Sequence, residues 1–416
     1  IAVIWAAEPV SALSTAPLMR IRPVRFLGDI SYSMYLWHWP PIVILPFVIG
    51  RELGFWPRVA ILIGTVAAAA LTKNLVEDPV RFTDRFGLRR PAITGLVTAA
   101  GAAVLVSGSL VGHREAVAAE QQAANIAAEL TSDAPECFGA ASRAPGEPCH
   151  NSELDSMLVP SPAAIRSDFA NFPGCFAEPH DTELSDCNFG DPSDSKIPHV
   201  ILVGDSHARS FLPTLVKMAE LDLITLSAQL KSSCAWTRDE MDHSDPKRVS
   251  SCQTWKTKLD AWLLEQAPET SLILTTGYAA VLGGSHEEQI DSMTASWEPM
   301  IAAGVPIVAV RDNPRYPSSP QECLAALTEI TPTACAQPRA EVLSFFDAFE
   351  HAGKQTKGAQ TLDLSEFYCD DQTCPAIIGG VNVYRDRSHL SVTYVETMTP
   401  FVYQKLVGLG ALTPPQ

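Results

Sequence analysis

Three apolar stretches fall within about 85 residues of each other near the start of the chain. They run over about residues 30–50 (ISYSMYLWHWPPIVILPFVIG), 56–76 (WPRVAILIGTVAAAALTKNLV) and 91–112 (PAITGLVTAAGAAVLVSGSLVG). Each supplies the roughly 20 apolar residues that cross a bilayer core. Buried helices of a soluble protein are the competing reading, and three such stretches in one block argue against it. Arg20, Arg22 and Arg25 precede the first stretch, and Arg81, Arg85, Arg89 and Arg90 separate the second from the third. The positive-inside rule puts both basic segments in the cytoplasm, so everything after the third span is expected outside it.

The rest of the chain has a different character. Of 30 basic and 47 acidic side chains, ten and six lie up to Gly112, which leaves 20 and 41 beyond it, a net of −21. Phosphate binding needs basic patches, so nucleic acid is excluded as a partner. All ten cysteines also lie beyond Gly112 and fall in neighbouring pairs. The simplest pairing is Cys137 with Cys149, Cys175 with Cys187, Cys234 with Cys252, Cys323 with Cys335 and Cys369 with Cys374. The sequence alone leaves the connectivity open. An even count suggests disulfides in an oxidising compartment, the side that the basic residues indicate independently. No Cys-x-x-Cys or Cys/His cluster has zinc-ligand spacing, so no metal site is expected.

The apolar scrap IAVIWAA at the start, with no initiator Met, reads as the end of an earlier membrane segment. Residues 113–130 are rich in helix formers, and 131–195 are dense in Pro, Gly, Ser and Asp with four cysteines, an irregular stapled lead-in. Beyond Ile197 short apolar runs alternate with amphipathic segments. Strands are expected at 199–204, 223–228, 271–276, 305–310 and 360–365, and helices at 207–220, 252–266, 286–302, 339–352 and 391–410. This alternation predicts an α/β fold with a mostly parallel sheet covered on both faces. The expected division is 1–112 in the membrane, 113–195 connecting, and 196–416 a folded domain.

Functional groups of such sheets gather beyond the C-terminal ends of strands. In HVILVGDSHARSFL, from His199, Ser206 stands two residues past the strand and at the mouth of a helix. Its N–H is a free helix-start donor for an oxyanion. A serine hydroxyl needs a base and a group to orient that base. VNVYRDRSHLS, near the chain end, offers His389 as base and Asp386, three residues earlier, as orienting partner. Either motif alone is commonplace, since Asp and Ser are ordinary helix caps; their combination is specific. The turn is not the Gly-x-Ser-x-Gly elbow of α/β-hydrolases.

GDSHARS (204–210) resembles the nucleophile block of SGNH (GDSL-like) hydrolases, and DRSH (386–389) resembles their closing block. The resemblance covers about residues 197–410 and implies a three-layer α/β/α fold, with Ser206, His389 and Asp386 as nucleophile, base and orienting acid. Two further blocks of that family supply a Gly N–H and an Asn side chain to the oxyanion hole. Here GYAA follows SLILTT and QLKSSCAW follows LITLSA, which leaves Ser206, Gly277 or Thr276, and the backbone at Ser233 as candidates.

RPVRFLGDISYSMYLWHWPPIVI (22–44) and LVEDPVRF (75–82) resemble the final segments of acyltransferase family 3 membrane proteins, His38 matching a Trp-His-Trp element. RDNPRYPSSPQEC (311–323) resembles the branch that carries an SGNH domain outside the cell. These resemblances imply a multi-pass bacterial membrane protein with an extracytoplasmic SGNH domain. Its implied activity is O-acetylation of a cell-surface glycan: polysaccharide, lipopolysaccharide or peptidoglycan. Acetyl-CoA is the implied donor to the membrane part, the bilayer its surroundings, and no tightly bound cofactor is implied. An O-acetylesterase with the same triad and a catalytically silent glycan-binding domain are the alternatives.

Overall fold

The computed structural model describes residues 21–49, 54–79, parts of 93–110, and 134–414 without 147–148, 163, 192–195, 242 and 280–281. The chain divides into two compact units, Ile1–His113 and Arg114–Gln416. The predicted helix at 113–130 and the basic segment 81–90 lie outside the described residues.

In the first unit, helix α1 (Arg22–Ile49) packs on α2 (Phe55–Thr72), which runs on as a π-helical turn over Lys73–Glu77. Trp37 Nε1 donates to Thr72 Oγ1 (2.8 Å), and the Ser33 hydroxyl donates to Glu77. Among the described residues one helix, Phe55–Glu77, is both long and apolar enough to cross a membrane. Three spans are expected from the sequence. α1 has the length, but Tyr32, Ser33, Tyr35, His38 and four prolines dilute its apolarity. The third stretch is described only in part, and its described residues are helical.

The second unit is built on a six-stranded sheet in the order β1 (Asn188–Phe189), β3 (Thr225–Leu230), β2 (His199–Gly204), β4 (Leu272–Thr276), β5 (Ile307–Val310), β6 (Ala359–Leu362). All neighbours pair in parallel except the short β1, which runs antiparallel along the β3 edge. β2 is an unbroken run of buried residues because both its faces are covered. Val200 and Leu202 enter one core layer, with Leu215 of α3 (Ser206–Glu220) and Tyr394 and Leu406 near the chain end. Ile201 and Val203 enter the other, with Trp255 of α4 (Pro246–Gln266), Trp297 of α5 (His286–Ala302) and Phe349 of α6 (Ala348–Gln355). Helices therefore cover both faces of the sheet. Each buried aliphatic side chain contributes about 1.5–3 kcal/mol over exposure.

Departures from the expected elements have local causes. β3 begins two residues late, and its buried Gln229 is tolerated because Ser185 satisfies it: the Ser185 N–H donates to Oε1 and Gln229 Nε2 donates to the Ser185 carbonyl, both at 2.9 Å. The last predicted helix is two, α7 (Val392–Thr397) and α8 (Thr399–Gly408), the second opening with Pro400, which lacks an N–H for a continuous helix. The segment at 339–352 likewise breaks, and Asp347 caps the start of α6. β1 was not foreseen. Its segment belongs to the sheet, and Ala140, Cys175 and Cys187 of the lead-in lie in the core. All ten cysteines are bonded, in the neighbouring pairs Cys137–Cys149, Cys175–Cys187, Cys234–Cys252, Cys323–Cys335 and Cys369–Cys374.

Gly204, where β2 gives way to α3, has φ of 153°, and a Cβ there would stand 2.1 Å from the Thr276 carbonyl oxygen and 2.7 Å from the Ala208 Cβ. Gly204→Ala must push β2 from β4. We expect a loss of at least about 2 kcal/mol in urea unfolding; an unchanged midpoint contradicts this packing.

Candidate active site

The turn after β2 is held by Asp205. Its Oδ1 accepts the His207 N–H (2.8 Å), capping α3, and its Oδ2 accepts the Tyr278 N–H (2.9 Å) from the loop after β4. Ser206 is thereby the first residue of α3. The Ser206 hydroxyl donates to His389 Nε2 (2.9 Å), and His389 Nδ1–H donates to Asp386 Oδ2 (2.8 Å) and Oδ1 (3.0 Å). Asp386 Oδ1 also accepts the N–H groups of Ser388 and His389 (each 3.0 Å), so the Asp-x-x-His turn closes on its own carboxylate.

A second loop grips that turn. Asn313 Nδ2 donates to the Ser388 carbonyl (2.5 Å), the Tyr316 N–H donates to the Arg387 carbonyl (2.8 Å), and Arg387 Nε returns a bond to the Tyr316 carbonyl (3.2 Å). This is the work of RDNPRY, which follows β5. Behind the serine, the buried His207 ring donates from Nδ1 to Asp312 Oδ1 (2.5 Å), stacks on Tyr278 with centroids 4.7 Å apart, and lies 4.9 Å from the His389 ring. Asp312 also accepts the N–H groups of Asn313 (2.9 Å) and Ala279 (3.1 Å), and its own N–H donates to Asp347 (2.7 Å).

Charge follows this wiring. Burial pulls the His207 imidazole down, but the Asp312 carboxylate at hydrogen-bond distance, with Asp205 and Asp386 beyond, outweighs it and lifts the group above its ordinary value. Burial raises the Asp205 carboxyl against the opposing pull of His207 and its two N–H donors. Burial, reinforced by the Asp312 charge, pushes Asp347 up to about 7. At Asp386 burial also raises the carboxyl, but the His389 hydrogen bond and charge and two N–H groups win and hold it well below the usual range.

Ser206, Asp386 and His389 are thus brought together. A cleft of about 290 Å³ opens on Ser206 and His389, and Ser233 lines it too. Ser233 takes a left-handed φ of 54°, and neither its N–H nor that of Ser206 has a partner among the described residues. Gly277 lies off this lining, against Phe349 and the Asp205 carboxylate, and Thr276 is buried within β4. Sequence reasoning missed the roles of His207, Asp312, Asn313 and Asp347. The one available signal was an Asp-Asn-Pro just past a strand end. Among the described residues no group of three or more His, Cys, Asp or Glu side chains is arranged to hold a metal.

Asp312→Ala strands the His207 ring and two buried N–H groups. We expect a loss of about 3–5 kcal/mol in urea unfolding, partly restored by His207→Phe in the same chain; a loss below about 1 kcal/mol contradicts the pairing. Because the folded Asp386 carboxyl lies below its unfolded value, its stabilisation is present above the unfolded range and fades as pH falls through the folded one. The stability gap between wild type and Asp386→Asn, followed by thermal melting, should therefore hold above about pH 5 and narrow toward pH 3. A gap that widens on acidification contradicts this.

Residues 174–404 match the SGNH domain family described as fused to AT3 domains. Over 67 residues the chain is 42% identical to the putative peptidoglycan O-acetyltransferase YrhL of Bacillus subtilis, a match covering 15% of this chain and 10% of that protein. The chain thus spans about a tenth of the length of the curated relative it matches. The periplasmic domain of a lipopolysaccharide acetyltransferase of Salmonella ser. Paratyphi A aligns over 51% of this chain and 84% of its own, at 13% identity and a TM-score of 0.42. The family match takes in more than half of the chain, the motifs at Ser206 and at Asp386–His389 and every strand of the parallel sheet, and the chain belongs to the SGNH domain family.

Proposed function

We propose that this protein is a membrane-bound O-acyltransferase that acetylates a cell-surface glycan, with Ser206 carrying the acyl group between donor and acceptor. The observation that carries the reading is the continuous relay from the Ser206 hydroxyl through His389 to Asp386, opening on a cleft. Membership of an SGNH family known for fusion to AT3 domains supports transfer over simple hydrolysis. So does the name of the Bacillus relative, a putative peptidoglycan O-acetyltransferase. The helix Phe55–Glu77, which exposes Leu62, Ile63 and Leu71, suits a lipid surround.

In this mechanism Ser206 Oγ attacks the acyl carbonyl while His389 Nε2 takes the hydroxyl proton. The N–H groups of Ser206 and Ser233 receive the oxyanion. His389 returns the proton to the leaving group, and an acetyl-serine ester remains. A sugar hydroxyl then enters, gives its proton to His389 and displaces Ser206, which takes that proton back. Asp386 keeps Nδ1 protonated, so that Nε2 faces the serine. The membrane unit, to about residue 112, passes in acetyl groups drawn from cytoplasmic acetyl-CoA, and the later residues work outside the cytoplasm.

The test is acetyl transfer by the full chain in detergent, from an activated acetyl ester to candidate glycans. Ser206→Ala should cut acetyl-sugar formation at least about a thousandfold, and mass spectrometry should find acetyl on Ser206 in the wild type. Persistence of transfer in Ser206→Ala overturns the serine mechanism, and a product that is mainly free acetate overturns the transferase reading in favour of an esterase.

A further inference from the structure

The cleft at Ser206 contradicts the charge of the protein around it. Beyond Gly112 the chain carries a net of −21, yet no carboxylate lines this cleft, and two arginines do, Arg209 and Arg385. Arg209 is locked in place: Nε donates to the Ala170 carbonyl (2.7 Å), and the guanidinium carbon sits 4.3 Å from the Phe176 ring centroid and 5.1 Å from that of Phe169. Its two terminal nitrogens have no partner among the described residues. Arg385 lies over the same Phe169 ring at 5.3 Å and meets Asp386 only at 3.5 Å.

Two like charges gathered around one ring repel each other, and burial adds to the cost. Burial first, and then Arg385, pull the Arg209 guanidinium below its ordinary value, and the Glu178 charge offsets this only in part. Arg209 has no ion pair among the described residues, and its bond to Ala170 and its ring contacts leave the repulsion from Arg385 in place. A bound oxyanion would relieve it, and the planar fork of a guanidinium matches a carboxylate or a phosphate. Phe169 is 38% exposed, an apolar ring held open at the cleft rather than folded into a core. An exposed aromatic face suits the C–H face of a sugar ring.

We propose that this cleft is an acceptor subsite for an acidic saccharide, whose carboxylate or phosphate binds between Arg209 and Arg385 while its sugar ring lies on Phe169. The proposal rests on the reading of Ser206 as the acyl carrier and names the substrate class of that site. The bound anion fixes the sugar so that a hydroxyl of the same or the next residue faces Ser206.

The test measures binding rather than turnover, so that it stands apart from the acyl-transfer experiment. The full chain carrying Ser206→Ala, in detergent, is titrated calorimetrically with a uronic-acid oligosaccharide and its methyl ester. A phosphorylated oligosaccharide and its dephosphorylated form make a second pair. At least one acid should bind about tenfold or more tightly than its neutral partner, and the pair that discriminates identifies the anion. The preference should shrink as salt rises from about 0.05 to 0.5 M. Arg209→Gln and, separately, Arg385→Gln should each reduce it to about twofold or less, with thermal melting confirming that each variant is folded. Equal binding of acid and neutral forms, binding of neither, or an acid preference that survives both substitutions overturns the proposal.

Discussion

The buried pair of His207 and Asp312 is the contact on which the arrangement around Ser206 depends. His207 follows the nucleophile candidate at the end of β2, and Asp312 stands two residues past β5. Their bond spans from the centre of the sheet toward its far side, across β4. Neither group is stable there alone, since an unpaired buried charge costs several kcal/mol. Asp205 and Asp347 extend the same logic by taking backbone N–H groups of neighbouring loops. Three carboxylates and one imidazole therefore fasten together the loops that follow the central strands. The Ser206–His389 distance is held by that fastening as much as by the local turn, because the loop beginning at Asp312 is also the one that grips Ser388 and Arg387.

Much of the second unit was legible because its signals are local. β2 fell on the expected residues, β4 and β5 within two and β6 within three, because aliphatic runs covered on both faces have few other uses. Ser206, Asp386 and His389 stood out because each sits in a short motif beside a strand end or a helix start. What stayed hidden depends on residues far apart in the chain. The 2.5 Å bond between His207 and Asp312 joins positions 105 residues apart, and no spacing rule reports it. β1 escaped because two residues carry no periodicity, and they form a strand only because the β3 edge is there to pair with. Gly277 stands just past β4, where an added Cβ would come 2.9 Å from Phe349 and 3.2 Å from the Asp205 carboxylate.

The disulfides act on a different part of the problem. Their sequence separations are 5 to 18 residues, so each closes a short local loop rather than joining distant elements. In the chain-entropy account a loop of about 15 residues is worth about 3 kcal/mol. That serves segments poor in regular structure, where few backbone bonds repeat. Cys234–Cys252 is the one nearest the chemistry. It ties the residue after Ser233 to α4, while Arg248, one turn earlier on that helix, donates to the Ser233 hydroxyl (2.8 Å).

Ser233 therefore has its side chain and its neighbour anchored to α4, while its N–H, in the cleft that Ser206 also lines, has no partner among the described residues. In the proposed mechanism this is the division of labour that an oxyanion donor requires. A backbone N–H is useful to a developing charge only if it is already aimed and unspent, because reorienting it during the reaction costs what the interaction returns. A left-handed φ at a serine is unfavourable in itself, and the Cys234–Cys252 bridge and the Arg248 hydrogen bond supply what holds it there.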